Sequence, residues 1–339
     1  MQKMTLKANA KINLSLDVTC KRPDGYHEVR MVMQQINLFD LVTVSYDPEE
    51  ILHTDFGKDH GEDRGNDYSK GSDEMPTEAL KISLTTNNLE LPTGPNNIAY
   101  AAVRLLAETY AKRGQRKEGS VDIHIEKGIP VAAGLAGGST DAAAVLIALN
   151  RLWSSACTIE ELIILGKKLG ADVPFCIMGN AASEGELPSF GTCALAEGIG
   201  EKLTPIGKEG GMPLSVFDKC WIVLSKPPLG VSTAKVYGGL VLSDIEERPD
   251  TQELVEGLIE GDFNKISKNM INVLEKVTLK EYCIVMYTKN KMMDCHPMAS
   301  LMSGSGPTIF GIFLDKTSAG RAYDAMKKVN KDTYLVQTL

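Results

Sequence analysis

The sequence lacks an excess of positive charge, a paired-cysteine motif and a long apolar run. Its 339 residues include 36 Lys and Arg against 44 Asp and Glu, which gives a formal net charge of −8. An acidic chain of this kind is a poor candidate for non-specific binding to nucleic acid. No nucleic-acid partner is therefore expected, and a substrate that carries phosphates would need a locally positive pocket.

The seven cysteines are odd in number, scattered, and without any C-x-x-C spacing. They are Cys20, Cys157, Cys176, Cys193, Cys220, Cys283 and Cys295. This pattern indicates reduced thiols and excludes a disulfide framework or a zinc site. No apolar run is long enough to span a membrane, and residues 1–7 enter a strand pattern with no signal peptide before them. The sequence predicts a cytoplasmic protein without membrane contact.

A strand–loop–helix pattern around residues 121–152 organises the chain. Before the loop, Val121, Ile123 and Ile125 alternate with polar residues, and Ala142 to Leu152 then carry apolar residues at helical spacing. The loop between is rich in Gly and Ala, so an anion could approach the backbone and the N–H groups of the following helix start. We interpret it as a phosphate-binding loop. The alternative is a tight turn with a Ser, Thr or Asp cap.

The loop is neither a Walker loop, since no Lys follows its glycines, nor a G-x-G-x-x-G motif. It resembles the second motif of the GHMP kinases, P-x-x-x-G-L-x-G-S-[ST]-A. One extra small residue before the serine is typical of the 4-diphosphocytidyl-2-C-methyl-D-erythritol kinases. The resemblance implies that ATP contacts Pro130, Val131, Ala132, Ala133, Gly134, Leu135, Ala136, Gly137, Gly138, Ser139 and Thr140.

A second stretch resembles the same kinase family more specifically. Residues 5–20 alternate as a strand with Lys11 and Asn13 on its polar face, which alone could be an ordinary solvated face. A Pro-Asp-Gly turn follows, and then Tyr26 and His27, which could be loop surface or an aromatic platform. The family begins in the same way. The resemblance implies that Tyr26 and His27 hold cytosine, that Asn13 contacts the substrate and that Lys11 is catalytic.

Asp172 stands between a predicted helix end at Leu169-Gly170 and an apolar Val-Pro-Phe run. That helix begins at a capping box, Thr158 to Glu161. The carboxylate could merely cap a turn, but an acid held partly out of water also suits a general base. Residues 170–174 match the family's Gly-Ala-Asp-Val-Pro, in which the aspartate is catalytic.

Other matches are weaker. Asn97 can cap a predicted helix that ends at Gly114, and the family uses an asparagine there and a lysine at Lys127 around the adenine. Thr233 and Tyr237 match substrate-side residues. Residues 302–308 resemble the third GHMP motif, a glycine turn near the nucleotide loop, although a plain turn explains the glycines equally well.

The resemblance implies an α+β, two-domain GHMP kinase fold. Its N-terminal domain would be ribosomal protein S5 domain 2-like and span 1–182, and its C-terminal domain would be a ferredoxin-like α/β domain over 183–339. Three features depart from the family: alanines at 132, 133 and 136 replace frequent glycines, Met33 replaces a common aromatic, and loops are long at 55–76 and 180–192. We expect the 55–76 loop to be solvated.

The implied activity is transfer of the ATP γ-phosphate, with Mg²⁺ between the phosphate oxygens, to the 2-hydroxyl of a cytidine diphosphate substrate in non-mevalonate isoprenoid synthesis. Asp172 would take the hydroxyl proton, and Lys11 would orient Asp172. Two alternatives stay open: another GHMP kinase acting on mevalonate, homoserine or a sugar, and a non-catalytic nucleotide sensor. The protein would act as a monomer or homodimer.

Overall fold

The computed structural model describes residues 1–49, 80–185, 191–207 and 220–339. The solvated loop predicted at 55–76 therefore lies outside the described residues, as do residues 186–190 of the loop predicted at 180–192. No helix within the described ranges combines the length and the apolar character that crossing a membrane requires. All seven cysteines are described, and none of them forms a disulfide.

Strands and helices are interspersed along the chain. The strands are β1 Gln2–Lys21, β2 His27–Asp47, β3 Leu80–Thr86, β4 Gly119–Glu126, β5 Cys193–Gly198, β6 Lys202–Pro205, β7 Trp221–Lys226, β8 Ala299–Met302, β9 Ile309–Phe313 and β10 Asp332–Gln337. The helices are α1 Ile98–Lys112, α2 Gly137–Leu152, α3 Ile159–Gly166, α4 Val173–Ser183, α5 Thr233–Gly239, α6 Thr251–Glu260, α7 Phe263–Asn269, α8 Glu275–Glu281, α9 Cys283–Met293 and α10 Lys316–Lys327.

The first sheet has six strands and is built around β2. β1 runs antiparallel along nearly the whole of β2, while β4 and β5 pair with opposite halves of β2. β3 and β6 complete the two ends. β5 and β6 form a hairpin whose turn lies near residue 200.

A shift of register in β1 decides which side chains face the site. The shift lies between Asn9 and Lys11. Before it, Leu6 packs in the core that contains α1 and α2; after it, Ile12 packs in the core that contains the second sheet. A bulge exchanges the two faces of a strand, so Lys11 and Asn13 come to the side of α2. Both are buried, so the polar face of β1 is not an ordinary solvated face.

The second sheet is antiparallel, with the order β10-β7-β9-β8. Backbone bridges join it and its helices to the first sheet, at Leu16 with Asn272 and at Ile36 with Thr338. β5 and β6 follow the boundary predicted at 182/183 and still belong to the first sheet. The boundary itself stays a prediction.

Two predicted boundaries are wrong. The helix that begins at the Thr158 capping box ends at Gly166, and Leu169 lies in a turn beyond it. The loop predicted from residue 180 begins too early, because α4 continues to Ser183. Pro174 in the first turn of α4 has a φ already suited to a helix start, so the Val-Pro-Phe run opens a buried helix.

Candidate active site

The loop between β4 and α2 leaves the start of α2 open. Ala136 precedes the helix in a left-handed conformation (φ 59°, ψ 27°), and no side chain among the described residues caps it. Ser139, Thr140 and Asp141 lie inside the first turns of α2, so the alternative of a Ser, Thr or Asp cap is wrong. The free N–H groups and the helix dipole make this end of α2 suitable for an anion.

The glycine turn at 302–308 lies against this loop, as predicted. Ser303 Oγ donates a hydrogen bond to the Gly134 carbonyl at 2.8 Å. A β-carbon added at Gly134, where φ is +74°, would lie 2.3 Å from the Ser303 carbonyl oxygen. Only glycine allows this close approach.

Lys11 and Asp172 meet from β1 and from the residue before α4. Their Nζ and Oδ2 atoms are 3.5 Å apart, and their side chains are 4% and 31% exposed. Lys11 Nζ also donates to Asn13 Oδ1 at 2.7 Å, and the Lys11 backbone N–H donates to the Leu135 carbonyl at 3.2 Å. One buried ammonium is thus fixed beside a carboxylate that solvent and a ligand can still reach.

The aromatic side chains form a second part of the site. His27 and Tyr237 lie with ring centroids 5.3 Å apart and planes tilted by 38°, while Tyr26 is 61% exposed. Burial, and then the charge of Lys21, lowers the pKa of His27. Burial, and then the charge of Asp172, raises the pKa of Tyr237. Both rings are therefore uncharged near neutral pH.

The turn that presents Tyr26 is held by ion pairs. Arg22 contacts Asp24 at 2.8 Å and Glu28 at 3.0 Å. Asp24 Oδ1 also accepts the Tyr26 backbone N–H at 3.1 Å. Arg22 is paired within the turn and does not line the cavity. Lys21, the residue before it, does.

Lys127 is enclosed by two carboxylates that the sequence pattern did not indicate. Its Nζ donates to Asp40 and, at 2.7 Å, to Asp141. Asp40 also accepts the Gly128 and Ile129 backbone N–H groups at 2.7 and 2.8 Å. Asp141 follows the glycine loop by three residues, a signal that could have been used; Asp40 lies in the middle of β2 and carries no local signal.

Burial and ion pairing shift two pKa values in this cluster. Burial would lower the pKa of Lys127, but Asp141 and Asp40 together raise it above its ordinary value. Burial, opposed by Lys127 and assisted by Asp40, raises the pKa of Asp141 well above its ordinary value. Lys127 is therefore charged and ion-paired within this cluster.

These groups surround one cavity of about 870 Å³. It brings together, besides Lys11, Asp172 and the aromatic residues, the predicted residues Asn13, Asn97, Lys127, Thr233 and 130–139. Thr140 is the exception: it is fully buried behind the loop, where its hydroxyl accepts from Asn180 Nδ2 at 3.1 Å. Asn97 also caps α1 as predicted, by accepting the Ala99 N–H.

Comparison with known proteins decides the family. The models of the GHMP kinases N terminal domain and the GHMP kinases C terminal domain match residues 97–180 and 254–332. The 4-diphosphocytidyl-2-C-methyl-D-erythritol kinase of Alkaliphilus oremlandii is 43% identical over 339 residues, which are 100% of this chain and 97% of that protein. The chain belongs to this kinase family. The kinase of the same name from Clostridioides difficile is 40% identical, over 100% of this chain and 96% of that protein.

Solved structures agree with this family. A 4-(cytidine 5'-diphospho)-2C-methyl-D-erythritol kinase superposes with a TM-score of 0.70 at 27% identity, covering 99% of both chains. A homoserine kinase from Cytophaga hutchinsonii superposes with a TM-score of 0.67 at 17% identity, covering 100% of this chain and 95% of that one. The second likeness shows the fold alone. The predicted two-domain α+β GHMP kinase fold is confirmed.

Proposed function

We propose that this member of the family transfers the γ-phosphate of ATP to the 2-hydroxyl of 4-diphosphocytidyl-2-C-methyl-D-erythritol. The observation that carries the proposal is the Lys11–Asp172 pair, 3.5 Å apart, facing the cavity that both the glycine loop and the Tyr26–His27 segment line. The step belongs to non-mevalonate isoprenoid precursor synthesis. The enzyme would work in the cytoplasm as a monomer or homodimer, without nucleic acid or membrane.

The glycine loop would bind the ATP phosphates. The uncapped start of α2 offers backbone N–H groups and the positive end of the helix dipole. Lys127 supports the loop from behind but is neutralised by its carboxylate partners, so it adds little free charge. The backbone is thus the main anion-binding element, which agrees with the alanine or glycine at every position of 132–138 except Leu135.

Asp172 and Lys11 would act on the acceptor hydroxyl. Asp172 accepts the proton or aligns the hydroxyl, while Lys11 orients Asp172 and stabilises charge on the moving phosphoryl group. Phosphoryl transfer depends mainly on positioning and charge stabilisation, and a buried ammonium held by Asn13 loses little freedom when the substrate binds. The remaining exposure of Asp172 leaves room for the hydroxyl.

The aromatic residues would hold the cytosine ring. Tyr26 offers an exposed face, and the His27–Tyr237 pair is uncharged near neutral pH, so each can stack or hydrogen-bond a base. Thr233 lies on α5, as Tyr237 does, and its hydroxyl is 2.9 Å from that of Ser305. Lys21 would lie close to the substrate diphosphate.

Mg²⁺ fits the donor set of this cavity only together with the nucleotide. No group of three or more metal-ligating side chains occurs in the described part of the chain. Mg²⁺ is commonly held by one or two carboxylates plus substrate phosphates. Asp141 lines the cavity, and its Oδ1 has no hydrogen-bond partner among the described residues. We infer that Asp141 and the Ser139 hydroxyl would hold the ion or its waters, and that bound Mg²⁺ would neutralise phosphate charge.

The test measures ATP consumption with the cytidyl substrate, with mevalonate, with homoserine, with a sugar and without acceptor. The proposal predicts turnover that depends on the cytidyl substrate. Turnover with another acceptor alone would identify a different GHMP kinase, and ATP binding without any turnover would identify a nucleotide sensor. Neither alternative is favoured, because the relatives that match the full chain bear the name of the cytidyl kinase, whereas homoserine and mevalonate kinases share only the fold, at 11–17% identity.

A further inference from the structure

Asn272 lies outside the residues assigned above, yet its side chain is completely engaged at the edge of the site. It is 2% exposed. Its amide nitrogen donates to the carbonyls of Met302 and Gly304, each at 2.8 Å. Its amide oxygen accepts the Leu274 backbone N–H at 3.0 Å. Two of these three bonds hold the glycine turn at 302–308.

The turn has two backbone hydrogen bonds of its own, from Ser303 N–H to the Thr308 carbonyl at 3.0 Å and from Gly306 N–H to the Ser303 carbonyl at 2.9 Å, and side chains from outside provide the others. Gly304 and Gly306 have positive φ angles of 56° and 85°, a region that glycine visits without a steric penalty, and they carry no side chains that could lock it. Glu275 assists at the edge of the turn, where its Oε1 accepts the Met302 N–H at 2.7 Å. Asn272 holds the Met302 and Gly304 carbonyls, while Thr278 Oγ1 donates to the Ser305 carbonyl at 3.2 Å and Thr233 lies 2.9 Å from the Ser305 hydroxyl.

The turn contacts both halves of the catalytic apparatus. A β-carbon added at Gly304 would lie 3.7 Å from Lys11 Nζ, 3.5 Å from Asn13 Oδ1 and 3.4 Å from the Gly134 carbonyl oxygen. Ser303 donates to that same carbonyl. A displacement of the turn would therefore be transmitted to the catalytic lysine and to the nucleotide loop together.

Asn272 is itself tied to the strand that carries Lys11. Leu16 of β1 donates to the Ile271 carbonyl at 2.9 Å and accepts the Val273 N–H at 3.0 Å, so the backbone on both sides of Asn272 is bonded to β1. The side chain then spans from this bridge to the turn. Asn272 thus connects the catalytic strand, the glycine turn and, through Ser303, the nucleotide loop.

We propose that Asn272 is a positioning residue that holds the 302–308 turn in register with Lys11 and the nucleotide loop. The inference rests on the proposed kinase function. Removing the amide leaves two buried carbonyls without a donor and frees the turn to shift. A shift of about 1 Å in groups that position a substrate can lower a rate by about 10²-fold. We expect Asn272→Ala to lower kcat by about ten- to a hundredfold and to weaken ATP binding.

Asn269→Ala is the matched control. Asn269 is also a buried asparagine, 3% exposed, but its amide donates to Glu253 and to the Lys265 carbonyl, away from the turn. Both variants should lower the melting temperature. Only Asn272→Ala should lower kcat per folded molecule and raise the Kd of ATP measured by calorimetry, with the KM of the cytidyl substrate changed much less.

Ser303→Ala provides a second variant if Asn272→Ala does not fold. It breaks the bond between the turn and Gly134 while leaving the Asn272 bonds in place, and it should lower kcat and ATP affinity in the same direction. Parental kcat and ATP affinity in folded Asn272→Ala, or in Ser303→Ala where the first does not fold, would overturn the inference. Calorimetry reports on the turn even if the parent enzyme does not phosphorylate the cytidyl substrate, so the two proposals fail separately.

Discussion

The ammonium of Lys127 lies 3.3 Å from the position that a β-carbon on Gly137 would occupy. The lysine cannot retreat easily, because Asp40 and Asp141 hold it in a buried cluster. Glycine at position 137 therefore leaves space for Lys127 and Ile129 beneath the loop. The sequence suggested that glycine is needed here to let phosphate approach the backbone. The space required by Lys127 and Ile129 is a second reason.

The first prediction is that Gly137→Val destabilises the protein and weakens ATP binding. The branched side chain would press on Lys127 and Ile129 and shift the start of α2. Gly320→Val on α10 is the control, since a β-carbon there would meet nothing within 4 Å and the residue lies outside the cavity lining. Thermal unfolding and calorimetry with ATP would measure both. Gly137→Val with parental stability and ATP affinity would refute this account of the loop.

The second prediction concerns the alanines that replace frequent glycines. Ala136 has φ 59°, a conformation that costs a residue with a β-carbon roughly 1–2 kcal/mol. Ala136→Gly relieves that strain but adds about 0.5–1 kcal/mol of unfolded-state entropy, so the free energy of unfolding should stay level or rise slightly. Ala133→Gly, at a buried position with no positive φ, should only destabilise. Equal losses in chemical denaturation would contradict the strain argument.

The third prediction is that Asp172→Asn lowers kcat by roughly 10²–10⁴-fold, the usual contribution of general-base catalysis. The amide keeps the size of the side chain, so substrate binding should change little. Lys11→Met should also lower kcat, and the double variant should be little worse than the poorer single one, because residues that act as a unit are not additive.

Single-turnover transfer at saturating ATP and substrate is the measurement for this pair. A loose transition state needs little early deprotonation, so a loss at the small end of the range would indicate alignment of the hydroxyl. A parental transfer rate in Asp172→Asn would make Asp172 a structural residue at the start of α4.

The fourth prediction is that Tyr26→Ala raises the KM of the cytidyl substrate with a smaller effect on ATP. Stacking of a base on an aromatic ring contributes ~1–3 kcal/mol in nucleic-acid complexes, so a comparable loss is expected. Because Tyr26 is 61% exposed, its removal should hardly change stability. Tyr287→Ala is the control: it removes a tyrosine that is 53% exposed on α9, outside the cavity lining. Equal losses for both ligands would indicate general damage.

The fifth prediction is that Lys21→Met raises the pKa of His27. Burial and the Lys21 charge both lower that pKa, so removing the charge removes one of the two causes. Folding favours the neutral form of His27, because its pKa is lower in the folded chain than in the unfolded chain. The resulting stabilisation is complete above the unfolded pKa of ~6.5 and is lost as the pH falls through the lowered folded pKa. NMR titration of the imidazole would measure the shift, and Lys168→Met, an exposed lysine outside the cavity lining, is the control.

The same variant tests the diphosphate contact. Lys21→Met should raise the KM of the cytidyl substrate, because a cation that lines the cavity is lost, while Lys168→Met should not. An unchanged pKa of His27 together with an unchanged KM would show that Lys21 has no influence on this part of the site.

Much of the site could be predicted from local sequence. The glycine loop, the Pro-Asp-Gly turn and the Asp172 segment are contiguous motifs, so their residues could be named without knowing how the chain folds. The cap at Asn97 and the capping box at Thr158 also followed from short-range hydrogen bonding, and both are present. Such features depend on neighbours within a few residues.

Other features depended on distant parts of the chain. Asp40 gave no local signal because its partners, Lys127 and the backbone of Gly128 and Ile129, lie far along the sequence. Thr140 matched the loop motif, yet helical geometry turns it away from the cavity toward Asn180. The extent of α4 was missed because its residues, apolar except for Asn180 and Ser183, show no amphipathic period, as expected of a helix buried over most of its surface.

The sequence by itself determined the kinase family, and it named the loop proposed to bind ATP and the acid and lysine proposed as the catalytic pair, since each rests on a local pattern of residue types. Only the tertiary structure decided which face of β1 meets the site, because the register shift between Asn9 and Lys11 is an event of strand pairing and not of alternation. It likewise decided that the 302–308 turn, held by Asn272, lies between Lys11 and Gly134. Contacts between segments so distant in the chain form only when both sheets and their helices pack together.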